Sequence, residues 1–116
     1  MPNGEARFWV YVIELDSTGL VSVGENGAVY VGETSLTPAV RYDKHKAGGK
    51  SSARVVFRRG VRLRPDLFPP EGPFETRREA LRFERRTKNR LEHRGYRVFG
   101  GQGETFMKGA SRAPDA

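Results

Sequence analysis

The segment from Phe8 to Leu15 constrains the fold most, because it reads Phe-Trp-Val-Tyr-Val-Ile-Glu-Leu. Such a run of β-branched and aromatic residues is typical of a β-strand. It is apolar on both faces for most of its length, whereas a strand with one face in water would alternate. We therefore expect this strand to lie in the centre of a sheet.

A second strand is expected from Ala28 to Gly32, because the Asn26-Gly27 pair before it is a strong hairpin signal. This strand should run antiparallel to the segment that precedes it. Leu20 to Val23 is a candidate for a short extra strand in the connection.

Two helices are indicated by their first residues. Thr37-Pro38 combines an N-cap residue with a proline at the first helical position, and Gly48-Gly49 should end that helix. A capping box at Thr76 and Glu79 predicts a long helix from about Arg77 to Arg94.

A third strand is expected from Ala53 to Leu63, with Val55, Phe57 and Val61 as its apolar residues, and Tyr96 to Phe99 adds a short apolar finish. The order of two strands, a helix, a strand and a long helix predicts an α/β (α+β) fold. We expect a small antiparallel three-stranded sheet flanked by helices. One domain should span residues 7–100, followed by a loosely ordered tail over residues 101–116.

The chain is strongly basic, with 21 Lys and Arg against 14 Asp and Glu and a formal net charge of +7. Such an excess attracts polyanions, of which nucleic acid is the commonest in a cell. Arg54, Arg58, Arg59 and Arg62 are the candidate nucleic-acid-binding residues. An ordinary solvated strand face explains the same arginines equally simply.

Two classes of protein are excluded by composition. The chain has no cysteine, which rules out disulfides, thiolate metal sites and cysteine nucleophiles. No apolar run reaches the roughly 20 residues that span a bilayer, and the first residues lack the apolar stretch of a signal peptide. We expect a cytoplasmic protein with no membrane partner.

Glu84 occupies an unusual position in the long helix. At roughly 100° per residue, it falls within the apolar arc of the helix. That arc holds Ala80, Leu81, Phe83, Thr87 and Leu91. A carboxylate on the core side costs free energy unless it is paired, neutralised or bound to a metal. Both a salt bridge, with Lys88 or a neighbouring arginine, and a functional carboxylate fit this position.

The order of these features resembles that of the GIY-YIG nuclease superfamily over most of the chain. Tyr11 in the first strand and Tyr30-Val31-Gly32 in the second resemble the two halves of the signature. Arg41 and His45, one turn apart on the next helix, resemble the family's Arg-x-x-x-His variant. The segment from Ala80 to Glu84 resembles the helix that carries the family's metal-binding glutamate.

The chain also departs from the family pattern. Trp9 stands where the first motif usually has glycine, and the segment between the two motifs is longer than usual. Glu33 follows Gly32 where many relatives have lysine, and His45 is a candidate to take over that role. The family's asparagine after the long helix has no match from Gly95 to Gly101.

The resemblance implies a metal-dependent endonuclease that hydrolyses phosphodiester bonds in nucleic acid, with DNA as the first candidate. Glu84 would hold one divalent ion, Mg²⁺ or Mn²⁺, which binds readily through a carboxylate, water and substrate phosphate. Arg41 would stabilise the phosphate charge, and a tyrosine would activate water. Tyr11 is favoured for that role, with Tyr30 orienting it or contacting phosphate.

A free tyrosine titrates at about 10 and needs help to act as a base. We expect Arg41 and the positive net charge to lower the pKa of the tyrosine, and His45 to accept its proton.

Two other functions stay open at this point. One is a non-catalytic nucleic-acid-binding domain of the same fold, which the missing asparagine favours and the retained Tyr, Arg, His and Glu set opposes. The other is a protein-interaction module, for which no residue pattern argues. No appended reader domain is visible, so recognition is expected from substrate shape, a partner protein or self-association.

Overall fold

The computed structural model describes residues 7–100, and the structural findings concern that part of the chain. The elements are β1 (Trp9–Leu15), β2 (Gly27–Thr34), α1 (Pro38–Ala47), α2 (Arg54–Arg59), β3 (Gly60–Leu63), α3 (Arg77–His93) and β4 (Tyr96–Gly100). A short 3₁₀ turn, Pro65–Leu67, lies between β3 and α3. The predicted loose tail, residues 101–116, lies outside the described residues.

The four strands form one mixed sheet in the order β3-β1-β2-β4. β1 pairs antiparallel with both β2 and β3, so its predicted central position is confirmed. β4 pairs parallel with β2. The expectation of three antiparallel strands is therefore incomplete. The segment from Tyr96 to Phe99, expected only as a short apolar finish, belongs to a fourth strand that runs parallel to β2.

The predicted strand from Ala53 to Leu63 is wrong in its first half, where α2 forms, and only β3 is extended. Its apolar residues alternate over too few positions to distinguish a strand from a short helix by period alone. Packing decides instead. Val56 is fully buried, whereas Phe57 and Val61 are 48% and 49% exposed and contribute little to the core.

The connection between β1 and β2 is a long loop over residues 16–26. The predicted extra strand from Leu20 to Val23 is wrong, since Val21 and Ser22 form a bend and the residues on either side are irregular. An isolated β-bridge pairs Gly24, near the end of the loop, with Gly27, the first residue of β2. Gly27 has a φ of +101°, a conformation that glycine adopts at little cost. The predicted antiparallel pairing of the two strands is confirmed.

The caps predicted for both helices are confirmed. The Thr37 side chain accepts a hydrogen bond from the Val40 N–H, and the Thr76 side chain accepts one from the Glu79 N–H. Each bond satisfies a donor that the first turn of a helix leaves without a partner. No helix within residues 7–100 is long and apolar enough to cross a membrane.

The helices cover opposite faces of the sheet. α3 packs on one face, over a cluster that includes Val10, Val12, Val29 and Val31. α1 and α2 pack on the other face, whose cluster includes Tyr11, Ile13, Ala28 and Val56. Within the described chain, the pairing of β4 ends at Gly100 opposite Val31. Gly32, Glu33 and Thr34, the last residues of β2, pair with β1 and have no β4 partner among the described residues.

Candidate active site

Tyr11 and Gly32 lie opposite each other in the β1–β2 pairing. A Cβ atom on Gly32 would lie 2.5 Å from Tyr11 Oη and 3.0 Å from the Tyr30 ring. Only a glycine leaves room for the Tyr11 ring to lie across β2 in this way. The Tyr-Val-Gly segment therefore has a packing reason for its glycine.

Tyr11 and His45 form a buried polar contact beneath the tyrosine rings. Tyr11 Oη lies 2.9 Å from His45 Nε2, and the two side chains are 1% and 0% exposed. The backbone N–H of Ala53, the N-cap residue of α2, donates to His45 Nδ1 at 2.9 Å. The Tyr30 ring packs edge-on against His45, with 5.6 Å between the ring centroids.

These contacts fix the tautomer of His45. A backbone N–H can only donate, so Nδ1 accepts and carries no proton. Burial, and in second place the charge of Arg41, lower the pKa of His45 to about 4, which keeps the ring neutral at pH 7. The single ring proton therefore sits on Nε2 and is donated to Tyr11 Oη. His45 has no free nitrogen to accept a proton from Tyr11, contrary to the expectation from the sequence.

Arg41 completes this side of the site. Its guanidinium donates to the Ser51 carbonyl at 2.7 Å, which holds the side chain across the loop between α1 and α2. It also acts on Tyr11, where its charge and a hydrogen bond both lower the pKa. Tyr11, Arg41 and His45 are called the tyrosine wall below.

The pKa of Tyr11 is raised well above its ordinary value, which corrects the expectation that it is lowered. Burial is the largest cause and Tyr30 the next, and together they outweigh the opposing effect of Arg41. A phenolate loses more hydration on burial than a phenol does. In the absence of a ligand, Tyr11 is therefore a neutral phenol that accepts a hydrogen bond from His45 and can donate its own proton.

Glu84 reaches the site from the opposite helical layer. It is 5% exposed, and no cation lies within ion-pair distance of it among residues 7–100. Lys88, the partner considered for it, donates instead to the Gly100 carbonyl at 3.5 Å. Burial raises the pKa of Glu84 to about 7, against the effect of the Lys88 charge and with a further rise from Glu33.

Glu33 is the residue that the sequence analysis did not assign to the site. Its side chain is 6% exposed, and one carboxylate oxygen lies 3.3 Å from Arg77 Nε without a hydrogen-bond partner. Burial raises its pKa, while the charges of Arg77 and Arg41 oppose the rise. Its place directly after Tyr-Val-Gly was the only sequence signal that pointed to it. Glu33 and Glu84 are called the carboxylate wall below.

The two walls face one cavity of about 270 Å³. Of the five predicted site residues, Tyr11, Tyr30, Arg41 and Glu84 line it, and His45 lies directly behind Tyr11. Its remaining lining consists of Gly32, Glu33, Ser51, Ser52, Ala53 and Leu81. The cavity therefore combines a fixed cation, phenol groups and two buried carboxylates, a set suited to binding a phosphate together with a hard cation.

The four predicted nucleic-acid-binding arginines do not reach this cavity. Arg59 donates to the Asp16 and Thr18 carbonyls, and Arg62 forms an ion pair with Glu14 at 2.8 Å. The remaining pair, Arg54 and Arg58, is exposed on α2. Arg59 and Arg62 thus have intramolecular contacts that tie α2 and β3 to the β1 strand and the loop after it.

Comparison with known families gives one match. A family model described as GIY-YIG catalytic domain matches residues 7–97, which include both walls of the cavity. The comparisons with curated proteins and with solved structures found no match.

Proposed function

This chain belongs to the GIY-YIG family of catalytic domains, which are nucleases, and we propose that it is a metal-dependent endonuclease that cleaves phosphodiester bonds, with DNA as its first candidate substrate. The observation that carries this proposal is the convergence of Tyr11, Tyr30, Arg41 and Glu84, from four separate elements, on one cavity. Polar and titratable side chains that converge on one cavity are the arrangement expected of a site that acts on a ligand.

The carboxylate wall fits a divalent cation. Glu84 is buried and faces the cavity without an ion-pair partner among the described residues, and one oxygen of Glu33 lacks a hydrogen bond. Mg²⁺ and Mn²⁺ prefer carboxylate oxygen ligands and keep sites open for water and phosphate. A bound cation would supply positive charge that polarises a phosphate oxygen and makes nearby water and phenol groups more acidic. Glu84 is the residue proposed to hold it.

Arg41 is proposed to bind the phosphate. Its guanidinium is oriented by the bond to the Ser51 carbonyl and has further N–H donors for phosphate oxygens. Negative charge grows on those oxygens as water attacks phosphorus, so a donor aimed at them stabilises the transition state more than the ground state.

Tyr11 is proposed to activate the attacking water. Its oxygen accepts a hydrogen bond from His45 Nε2–H, and the nearby charge of Arg41 lowers its pKa; both interactions stabilise a phenolate. Its own proton is the one free to leave, toward the cavity. Since His45 cannot take that proton, the proton must pass to solvent, and Tyr11 becomes a base only when positive charge arrives in the cavity. His45 acts here as a positioning residue. Tyr30 is proposed to orient the water or to contact phosphate.

Cleavage assays with duplex, flapped and branched DNA test the proposal directly. The wild-type protein should cut at least one of these substrates with Mg²⁺ or Mn²⁺ and none of them in EDTA. Glu84→Gln, which removes the charge and keeps the shape, should abolish cleavage while DNA affinity in EDTA stays equal or increases. The matched control is Glu92→Gln, on the exposed side of the same helix, which should cleave normally. Wild-type protein that binds DNA but cuts nothing with any divalent ion would favour a non-catalytic binding domain.

A further inference from the structure

The exposed side of α3 carries a row of arginines that the site does not use. Arg78, Arg82 and Arg85 are spaced four and three residues apart, so they lie along one face of the helix. All three are exposed, and none forms an ion pair within the described residues. They contrast with Arg59 and Arg62, whose guanidinium groups are occupied by carbonyls and by Glu14.

This arginine row is continuous with the candidate active site. Arg78, Arg82 and Arg85 line a shallow depression together with Leu81, and Leu81 also lines the main cavity. Arg85 is close enough to Glu84 for its charge to lower the pKa of that carboxyl. A nucleic-acid strand that leaves the cavity past Leu81 would therefore lie next to Arg78, Arg82 and Arg85.

The spacing of the row suits a phosphodiester backbone. Arg85 lies seven positions after Arg78, a rise of about 10 Å along the helix. One strand of a duplex rises about 3.4 Å per phosphate along its axis, so three steps from phosphate to phosphate cover a similar distance. Arginine is also the residue whose planar donors match phosphate oxygens best.

We propose that Arg78, Arg82 and Arg85 bind the phosphate backbone of the substrate strand on one side of the cleaved bond. An acidic protein surface is the alternative ligand for such a row. That ligand does not explain why the row adjoins the cavity, with Leu81 lining both depressions. This inference rests on the proposed function in one respect, that the ligand in the cavity is a nucleic acid. It assigns the main contact with the phosphate backbone to the arginines of α3, and not to Arg54, Arg58, Arg59 and Arg62.

The test measures binding of a fluorescein-labelled DNA duplex in EDTA, between about 50 and 200 mM salt. The double variant Arg78→Ala/Arg82→Ala should bind more weakly and lower the slope of log K against log salt by up to about one unit per lost phosphate contact. The matched control is Lys44→Ala/Arg94→Ala, which removes the same charge from exposed positions outside both depressions. Its slope should stay close to that of the wild type.

A second variant separates charge from shape. Arg78→Lys/Arg82→Lys keeps both charges and should retain most of the salt dependence, because it can still displace counterions from the phosphates. With Mg²⁺ or Mn²⁺ present, the alanine variant should raise KM more than it lowers kcat, since the row contacts substrate away from the reacting bond.

Three results would overturn the inference. They are an α3 double variant that binds like the control, a lysine variant that loses as much as the alanine variant, and a wild type that binds no nucleic acid. The first two leave the proposed nuclease intact if the wild type still cleaves. If binding depends on the α3 row but no substrate is cut, the inference stands and the proposed function fails.

Discussion

The two walls of the cavity satisfy their polar groups in opposite ways. On the tyrosine wall, both nitrogens of His45 are hydrogen-bonded and Arg41 is held by the Ser51 carbonyl. On the carboxylate wall, Glu84 has no ion pair within residues 7–100 and one oxygen of Glu33 has no hydrogen bond. The polar groups of the first wall are hydrogen-bonded before any ligand binds, whereas on the second wall only Glu33 has an ion-pair partner, Arg77, and Glu84 has none among the described residues.

Burial moves the pKa values of His45 and Glu84 in opposite directions. It lowers the pKa of His45 to about 4 and raises that of Glu84 to about 7. In both cases burial disfavours the charged form. The tyrosine wall is therefore insensitive to pH near neutrality, and the carboxylate wall changes its charge there.

Apart from the loss of the Glu84 charge, the largest effect on kcat is expected from replacing a tyrosine of the cavity with phenylalanine. Tyr11→Phe removes the proposed base and should lower kcat by roughly 10²–10⁴-fold, the usual contribution of such a group. Tyr30→Phe should lower it less, because Tyr11 is the tyrosine whose oxygen lies 2.9 Å from His45 Nε2. The wild-type rate should also rise with pH into the alkaline range, since the pKa of Tyr11 is raised and its active form is deprotonated.

The fold of Tyr11→Phe needs its own measurement. The change leaves the buried Nε2–H of His45 without its acceptor, at a cost of about 1–3 kcal/mol. Rates should therefore be compared well below the unfolding temperature of each variant. A larger loss in Tyr30→Phe than in Tyr11→Phe would reverse the proposed roles of the two tyrosines.

Arg41→Ala should be the next most damaging change. If the guanidinium contacts the developing phosphate charge, kcat should fall by about 10²–10³-fold, as for the loss of one preorganised donor. Arg41→Lys should restore part of the rate, because it keeps the charge but not the planar pair of donors. Lys44→Ala, an exposed change on the same helix, serves as the control. Equal rates for Arg41→Ala and the control would remove Arg41 from the mechanism.

The sequence predicts the parts of this molecule that depend on local pattern. The continuous apolar run of β1 indicates a central strand, and Thr37 and Thr76 mark the starts of both long helices. The resemblance to the GIY-YIG family supplies four residues that line the cavity. Each of these conclusions needs only the spacing of residues along one segment or their order along the chain.

Other features depend on contacts between distant segments. The tautomer of His45 is set by the Ala53 N–H, whose position follows from α2, and α2 occupies the first half of the segment expected as a strand. The rise in the pKa of Tyr11 depends on how deeply β1 is covered. Glu33 of β2 lines the cavity only together with side chains from β1, α1 and α3. Periodicity and charge counts contain none of this information.

Glu84 and His45 should affect the pH dependence of protein stability in opposite directions. Removing the Glu84 charge should make the effect of His45 measurable. Between the ordinary value of 4.5 and about 7, folded Glu84 holds a proton that the unfolded chain has released, so stability falls as pH rises. Between about 4 and the ordinary value of 6.5, the unfolded chain binds a proton that folded His45 does not, so stability rises with pH. In the wild type the two effects offset each other over much of this range.

Glu84→Gln should therefore be more stable than the wild type at pH 8 in EDTA, by up to about 3 kcal/mol. Its stability should fall as the pH drops from 6.5 to 4, where Glu84 no longer offsets the contribution of His45. Denaturant unfolding at several pH values measures both changes, and Glu92→Gln should follow the wild type. A Glu84→Gln protein that is less stable at pH 8 would mean that Glu84 forms a structural ion pair and holds no metal.

The smallest predicted effect concerns the two carboxylates of one wall. Burial raises the pKa of Glu84, and the Glu33 carboxylate adds a smaller part of the rise. Glu33→Gln should lower the pKa of Glu84, so that Glu84 stays ionised at lower pH. A cation binds the ionised carboxylate, and metal-dependent cleavage should then persist to lower pH than in the wild type. Cleavage measured against pH at several Mn²⁺ concentrations gives this shift, with Glu79→Gln as a control outside the cavity. If Glu33 binds the cation as well, the variant would instead need more Mn²⁺ at every pH, and the gain at low pH would be absent.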